Sequence, residues 1–195
     1  SIKDSNEPWP AEAPKREGRK FFGWAKKQNI GLADFDKDSI VSNDTTVYAD
    51  WHGSEISLNS SGNVEAKIGN DGNITVSIKK SNSDRNIERE KWEDMVKEFG
   101  GKAYGTWDMQ WNYLFKGNIK FESEVYLPQE SSSMFKRFQG KVLGTANFNT
   151  SKVTKMRAMF YDAPLVDPYV TNWDTSKVTE MTVMFKFATS AKPDP

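Results

Sequence analysis

The sequence predicts an α+β chain in three parts: a small β-rich N-terminal module, an α/β cap and a short repeat solenoid. Three observations carry that expectation. A 25-residue period runs through the last third, an aromatic and alternating pattern marks the start, and a hairpin followed by one amphipathic helix lies between them. The parts are set at residues 1–53, 54–127 and 128–195.

The first 17 residues are polar and carry Pro8, Pro10 and Pro14, the composition of an extended lead-in. Residues 20–24 are aromatic and 45–51 alternate, which predicts two strands, with Phe35 and Ile40 as anchors in the polar stretch between them. In residues 54–80, Val64, Ala66 and Ile68 alternate with polar residues, as do Ile74, Val76 and Ile78. Residues 69–73 supply the Gly, Asn and Asp that a tight turn needs, so a hairpin is expected. The period then changes. Trp92, Met95, Val96 and Phe99 share one helical face, with Asn86 as N-cap and Gly100-Gly101 as the stop. Residues 104–127 are aromatic and mixed, ending in a strand-like Val125-Tyr126-Leu127 before Pro128.

The repeat is the strongest signal. Ten of the seventeen positions from 147 to 163 are identical to the residue 25 further on, including Val153 with Val178, Met156 with Met181 and Phe160 with Phe185. Met134-Phe135 falls one period earlier and marks a degenerate first copy. A unit this short cannot bury its own apolar face, so stacked copies are expected, each with one or two helical turns at 153–160 and a short strand near 168–173. The last copy breaks off after Ala188, which predicts further copies or a second cap in the intact protein.

Composition narrows the function. Acidic and basic residues balance at 27 each, so there is no basic excess of the kind that marks nucleic-acid binding. No apolar run is long enough to span a bilayer, and no targeting segment is visible. Cysteine is absent and His52 is the single histidine, which leaves no thiolate or multi-histidine metal site. No catalytic, cofactor or metal residue is assigned.

Several motifs have plainer readings. Asp34, Asp36 and Asp38 have the opening spacing of a calcium loop, but Ser39 and Thr45 stand where Gly and Glu are needed, so a solvated loop is expected. The pairs Met156/Met159 and Met181/Met184 resemble thioether copper sites, yet core packing explains them better. Trp107, Trp111, Tyr113 and Phe115 form an aromatic group that reads as cap core rather than a sugar platform. Leu127-Pro128-Gln129-Glu130-Ser131 lacks the Thr-Gly pair of a sortase signal and reads as a strand end.

Two regions resemble known families. Residues 172–185, Asn-Trp-Asp-Thr-Ser-Lys-Val-Thr-Glu-Met-Thr-Val-Met-Phe, with their copy at 147–163, resemble the BspA-like leucine-rich repeats of mycoplasma lipoproteins and Gram-positive wall proteins. Pro14, Glu17-Gly18, Phe22-Gly23-Trp24 and Thr46-Val47-Tyr48-Ala49-Asp50-Trp51 are similar to part of the Listeria–Bacteroides repeat, the internalin B-repeat, with Arg19 where that pattern has tyrosine. The first resemblance implies a leucine-rich-repeat-like solenoid, and the second a partial β-grasp-like module. Both imply a secreted bacterial protein at the cell surface or wall. They make adhesion to a host protein or glycan the expected function, without contact to nucleic acid or membrane by this segment. A purely structural spacer is the alternative, and a glycan-acting enzyme a remote one. The positions that differ between copies are the expected recognition surface: Lys155 against Glu180, Arg157 against Thr182 and Tyr161 against Lys186.

Overall fold

The computed structural model describes residues 14–15, 19–25, 35, 45–104, 108–113 and 115–192. The chain divides into two compact units, Ser1–Ser54 and Glu55–Pro195. In the first unit, strand β1 (Arg19–Ala25) pairs antiparallel with β2 (Tyr48–Gly53). The register slips between Phe21 and Gly23, where a φ of 138° needs glycine. The Phe35 N–H donates to the Trp24 carbonyl at 3.0 Å, and Phe35 is buried, as are Ala25 and Val47. Phe21 meets Trp24 and Trp51 edge-on at 5.3 and 5.7 Å. Ile40 and the three aspartates at 34, 36 and 38 lie outside the described residues.

The second unit is built on a five-stranded mixed sheet. Strands β3 (Glu55–Ser57), β4 (Val64–Ile68) and β5 (Ile74–Ile78) form an antiparallel meander, and the 69–73 turn closes β4 on β5 where the alternation places it. Helix α1 (Arg89–Phe99) follows and buries Trp92, Met95, Val96 and Phe99. Gly100 ends it at φ 131°, its N–H on the Val96 carbonyl. Strands β6 (Gly101–Ala103) and β7 (Met109–Trp111) pair with each other. Strand β8 (Ile119–Phe121) then returns to lie parallel to β5. Further on, β9 (Val125–Tyr126) leads out of the sheet, and β10 (Val142–Leu143) adds on beyond β8, again parallel. Strand β11 (Phe148–Asn149) pairs with β9. A Cβ on Gly117 would stand 1.9 Å from the Gly72 carbonyl oxygen, and one on Gly140 1.9 Å from that of Gly117. Three neighbouring chain segments thus approach so closely that only glycine fits.

Asn86 is not the N-cap. Glu88 occupies that position, without a side-chain cap bond. The Asn86 N–H closes a local turn on the Asp84 carboxylate at 2.9 Å, and its backbone bridges in parallel to Tyr126.

The expected fold class requires correction. Among the described residues the chain is mostly β-sheet with one α-helix, not an α+β chain ending in a leucine-rich-repeat solenoid. The first unit shows a two-stranded sheet among its described residues rather than a β-grasp. The repeat copies contain neither the helical turns expected at 153–160 nor the strand expected near 168–173, where a turn joins the Trp173 N–H to the Val170 carbonyl. The reason is backbone conformation. Ser133, Ala158 and Val183 have φ of 61°, 53° and 54°, and Arg137, Asp162 and Phe187 have 63°, 55° and 65°. Left-handed residues four apart break any right-handed helix. Each copy is instead a run of overlapping turns, such as Met134 to Ser131, Lys136 to Ser133 and Phe138 to Phe135.

The copies nonetheless lie on one another in register. Glu130, Lys155 and Glu180 are linked by parallel bridges. Phe135, Phe160 and Phe185 stack ring on ring at 5.3 and 5.4 Å, 7° and 8° from parallel. Many residues repeated in the sequence hold neighbouring tiers together. The side-chain amides of Asn147 and Asn172 reach back to the carbonyls of Phe121 and Ala146, both at 2.9 Å. The hydroxyls of Thr154 and Thr179 donate to the carbonyls of Gln129 and Thr154, both at 3.2 Å. Lys177 donates to the Ser151 carbonyl at 3.0 Å.

Candidate interaction surface

The turn geometry sorts the backbone groups of each tier. In the first tier, the N–H groups of Ser131, Ser133, Phe135 and Arg137 donate to the carbonyls of Lys155, Arg157, Met159 and Tyr161 at 2.8–3.0 Å. In the second, those of Met156, Ala158, Phe160 and Asp162 donate to Glu180, Thr182, Met184 and Lys186 at 2.7–3.0 Å. The carbonyls of the donor residues are used in local turns, as Met159 to Met156 and Tyr161 to Ala158 show. Along these rows each tier presents acceptors on one side and donors on the other, while the N–H groups of Thr154 and Lys155 run back to the Gln129 carbonyl and that of Thr179 to the Thr154 carbonyl.

The acceptor side of the first tier is sealed by the preceding segment. Arg89 Nη1 donates to the carbonyls of Glu130 and Ser132 at 3.2 and 2.6 Å. The indole N–H groups of Trp92 and Trp111 both donate to the Met134 carbonyl, at 3.3 and 3.0 Å. The Trp111 N–H donates to the Lys136 carbonyl at 2.9 Å. Arg89 is itself fixed by Glu93 at 2.8 Å. Sequence reasoning placed Trp92 and Trp111 in the core, and both are fully buried there. Their indole N–H groups carry this capping role, which no periodicity signals. Trp111 also packs on Phe115 and Phe138 at 5.2 and 5.0 Å, whereas Tyr113 is exposed and Trp107 lies outside the described residues.

The six residues expected to form a recognition surface fall on the tiers as follows. Lys155 reaches Glu130 at 3.6 Å and is bridged through its backbone to Glu180. Arg157 reaches the Glu180 carboxylate at 3.7 Å. Thr182 is exposed, and its carbonyl receives the Ala158 N–H. Tyr161 meets Phe187 edge-on at 5.5 Å, and the Lys186 ammonium stands 5.2 Å from the Phe187 ring. The structure thus gathers Lys155, Arg157 and Glu180 into one ladder of alternating charge, and Tyr161 and Lys186 around Phe187. Exposed pairs of this kind contribute about 0–1 kcal/mol each, so they remain exchangeable for contacts to another molecule.

A third cluster escaped the sequence reading. The Tyr113 hydroxyl donates to the Asp162 carboxylate, Arg137 stands 5.2 Å over the Tyr113 ring, and Arg137 Nε lies 3.8 Å from Asp162. The Asp162 contact raises the Tyr113 phenol above its ordinary range, with burial adding to it and Arg137 opposing it.

An open cleft of about 520 Å³ lies between residues 86–90 and 127–130, with Lys152 at its side. Two of its carboxylates are used structurally. Glu88 accepts the Ser60 N–H and hydroxyl, both at 2.7 Å, which holds it below the ordinary carboxylate range. Glu130 accepts the Ser132 N–H at 3.0 Å. Lys152 donates to Asn86 at 2.7 Å and stands 4.8 Å over the Tyr126 ring. Among the described residues, no group of three or more acidic or histidine side chains is arranged to hold a metal ion.

No curated protein and no solved structure matches the chain. Residues 129–194, the stretch that builds the stacked tiers, match the family model described as "Mycoplasma protein of unknown function, DUF285". That match fits, loosely, a mycoplasma or BspA-like family of surface-type proteins, and it brings no sign of a leucine-rich repeat or of the internalin pattern.

Proposed function

We propose that this chain is a non-catalytic segment of a bacterial cell-surface protein that works by contact, as an adhesin or host-interaction segment exposed outside the cell. The observation that carries the reading is the coincidence of two things on residues 129–194. The family match suggests a mycoplasma surface-type protein there, and the same stretch displays its variable positions in register across stacked tiers. Lys155, Arg157, Glu180, Thr182, Tyr161 and Lys186 supply charge, hydroxyl and aromatic groups on a backbone fixed by rows of inter-tier amide bonds. Such a face suits a host protein or glycan. The internalin likeness of residues 14–51 agrees with a surface location and rests on the sequence pattern alone. The use of Glu88 and Glu130 in structural bonds supports a non-catalytic reading of the cleft.

The test is a binding screen of the 195-residue chain against matrix proteins, plasma proteins and glycan arrays. A specific ligand is expected, with affinity lost on combining Lys155→Ala, Arg157→Ala and Lys186→Ala while the fold is kept. Binding that survives this triple change, or no binding to any of the three panels, refutes the reading. The latter favours a spacer.

A further inference from the structure

Three side chains from separate parts of the second unit meet beside the first two tiers. Tyr113 follows the β6–β7 hairpin, while Arg137 and Asp162 hold the same position in successive tiers, 25 residues apart. Their backbones are closed along the stack: the Arg137 N–H donates to the Tyr161 carbonyl and the Asp162 N–H to the Lys186 carbonyl, each at 2.8 Å. What stays open is the side-chain face. The sequence groups Tyr113 with the cap core, yet the residue is 43% exposed. Its hydroxyl is held by Asp162, and Arg137 stands 5.2 Å over its ring, so the ring is oriented before any ligand arrives.

Hydrogen-bonding capacity is left over in this cluster. Arg137 Nη1 donates to Gln110 Oε1 at 3.0 Å, and Nε is buried without a partner, 3.8 Å from Asp162. Among the described residues, Arg137 Nη2 finds no acceptor and Asp162 Oδ1 no donor, and both side chains are partly exposed. Gln110 in turn donates to the Tyr104 hydroxyl at 3.3 Å, and Tyr104 is 55% exposed. A planar donor and a planar acceptor thus stand side by side next to an exposed ring, and their charges cancel.

We infer that Tyr113, Arg137 and Asp162 form a binding site for neutral hexopyranose units of a glycan. Each hydroxyl of a vicinal diol both donates and accepts, which the free Asp162 oxygen and the free guanidinium N–H groups complement. The C–H face of a pyranose ring is apolar and matches the uncovered part of the Tyr113 ring. Charge selects neutral sugars, because Asp162 repels a carboxylate or sulfate and already offsets Arg137. A protein partner would want a desolvated apolar pocket here, whereas polar groups surround the ring. The inference goes beyond the adhesion reading, since none of the six residues named for that reading takes part.

The test titrates maltotriose, cellotriose, triacetylchitotriose and lactose, with sialyllactose as the acidic comparator, into the isotope-labelled 195-residue chain. At least one neutral sugar is expected to shift the Tyr113, Arg137 and Asp162 resonances at millimolar concentration. Tyr113→Ala removes the stacking face and should weaken that binding at least about tenfold. Asp162→Asn keeps a residue that tolerates the left-handed φ of 55° and should weaken it to a similar degree, with the remaining spectrum of each variant unchanged. The combined change at Lys155, Arg157 and Lys186 is expected to leave sugar binding intact, which separates this site from the adhesion reading. No shift with any of the four neutral sugars overturns the inference. Tighter binding of sialyllactose, or binding that ignores both Tyr113→Ala and Asp162→Asn, does so as well.

Discussion

Replacing Phe160 by alanine should cost far more than replacing Phe185, although the two are the same residue of the same repeat. Phe160 is fully buried, with Phe135 stacked on one face and Phe185 on the other. Burial of such a ring is worth about 1.5–3 kcal/mol, and its removal with the cavity left behind about 3–5 kcal/mol. The two ring pairs account for about 1–3 kcal/mol of that loss. Phe185 is only half-buried and keeps one stacked neighbour, so half the pair term and part of the burial remain to lose, about 1–2 kcal/mol. The gap of about 2–3 kcal/mol can be read from urea unfolding of the full chain by circular dichroism, provided the denaturant slope is unchanged. Equal losses for the two variants, within about 0.5 kcal/mol, would show that the stack does not share load in this way.

Other outcomes follow from single contacts. Gly117→Ala would drive a methyl group into the Gly72 carbonyl, and a loss at or above about 1–3 kcal/mol is expected in the same unfolding assay; a neutral result would refute the close approach. Trp92→Phe and Trp111→Phe each remove one donor from the Met134 carbonyl; the double variant should lose more than the sum of the singles, because only then is that buried acceptor left bare, at a cost of about 1–3 kcal/mol. Glu65 is pushed up by burial, but hydrogen bonds and charge from Lys67 and Lys79 outweigh it and hold its carboxyl below the ordinary 4.5. Its folded-state value being depressed, its stabilisation is full above about pH 4.5 and is lost as pH falls through the folded value. Glu65→Gln should therefore be less stable than the parent at pH 7, with the difference shrinking as pH falls below about 4.5, and a constant difference on acidification would contradict the assignment.

The elements with a clear period were legible in the sequence. Val64, Ala66, Ile68 and Ile74, Val76, Ile78 gave the hairpin through period two, and Trp92, Met95, Val96 and Phe99 gave the helix face through period 3.6. The 25-residue offset matched Phe160 to Phe185, which are the rings that touch. What the offset could not convey was the conformation inside each copy. Val153, Met156, Met159 and Phe160 read as a helical stripe, yet overlapping turns through left-handed Ala158 and Asp162 bury the same four residues. No residue type announces those φ values, since the positions hold Ser, Ala, Val, Arg, Asp and Phe. The return of Ile119–Phe121 to lie beside Ile74–Val76 is likewise invisible locally, because the strand is three residues long and its partner more than forty residues away. For the surface, comparing copies picked out Lys155, Arg157 and Glu180, but their mutual pairing depends on tier spacing. The capping by Arg89 and two indoles was hidden because the acceptors it covers exist only once the turns have formed.

The prevailing direction of the inter-tier amides also has an electrical consequence. Each bond aligns a peptide moment along the stacking direction; the eight bonds of the two rows point one way and those from Thr154, Lys155 and Thr179 point the other, so a net moment remains instead of the full cancellation of an antiparallel sheet. The assembly carries partial negative charge at residues 130–136, where the Arg89 guanidinium neutralises it, and partial positive charge at residues 181–187, where Glu180 is the nearest carboxylate in the column. Although the chain as a whole bears no net charge, its stacked tiers are polarised along their own axis.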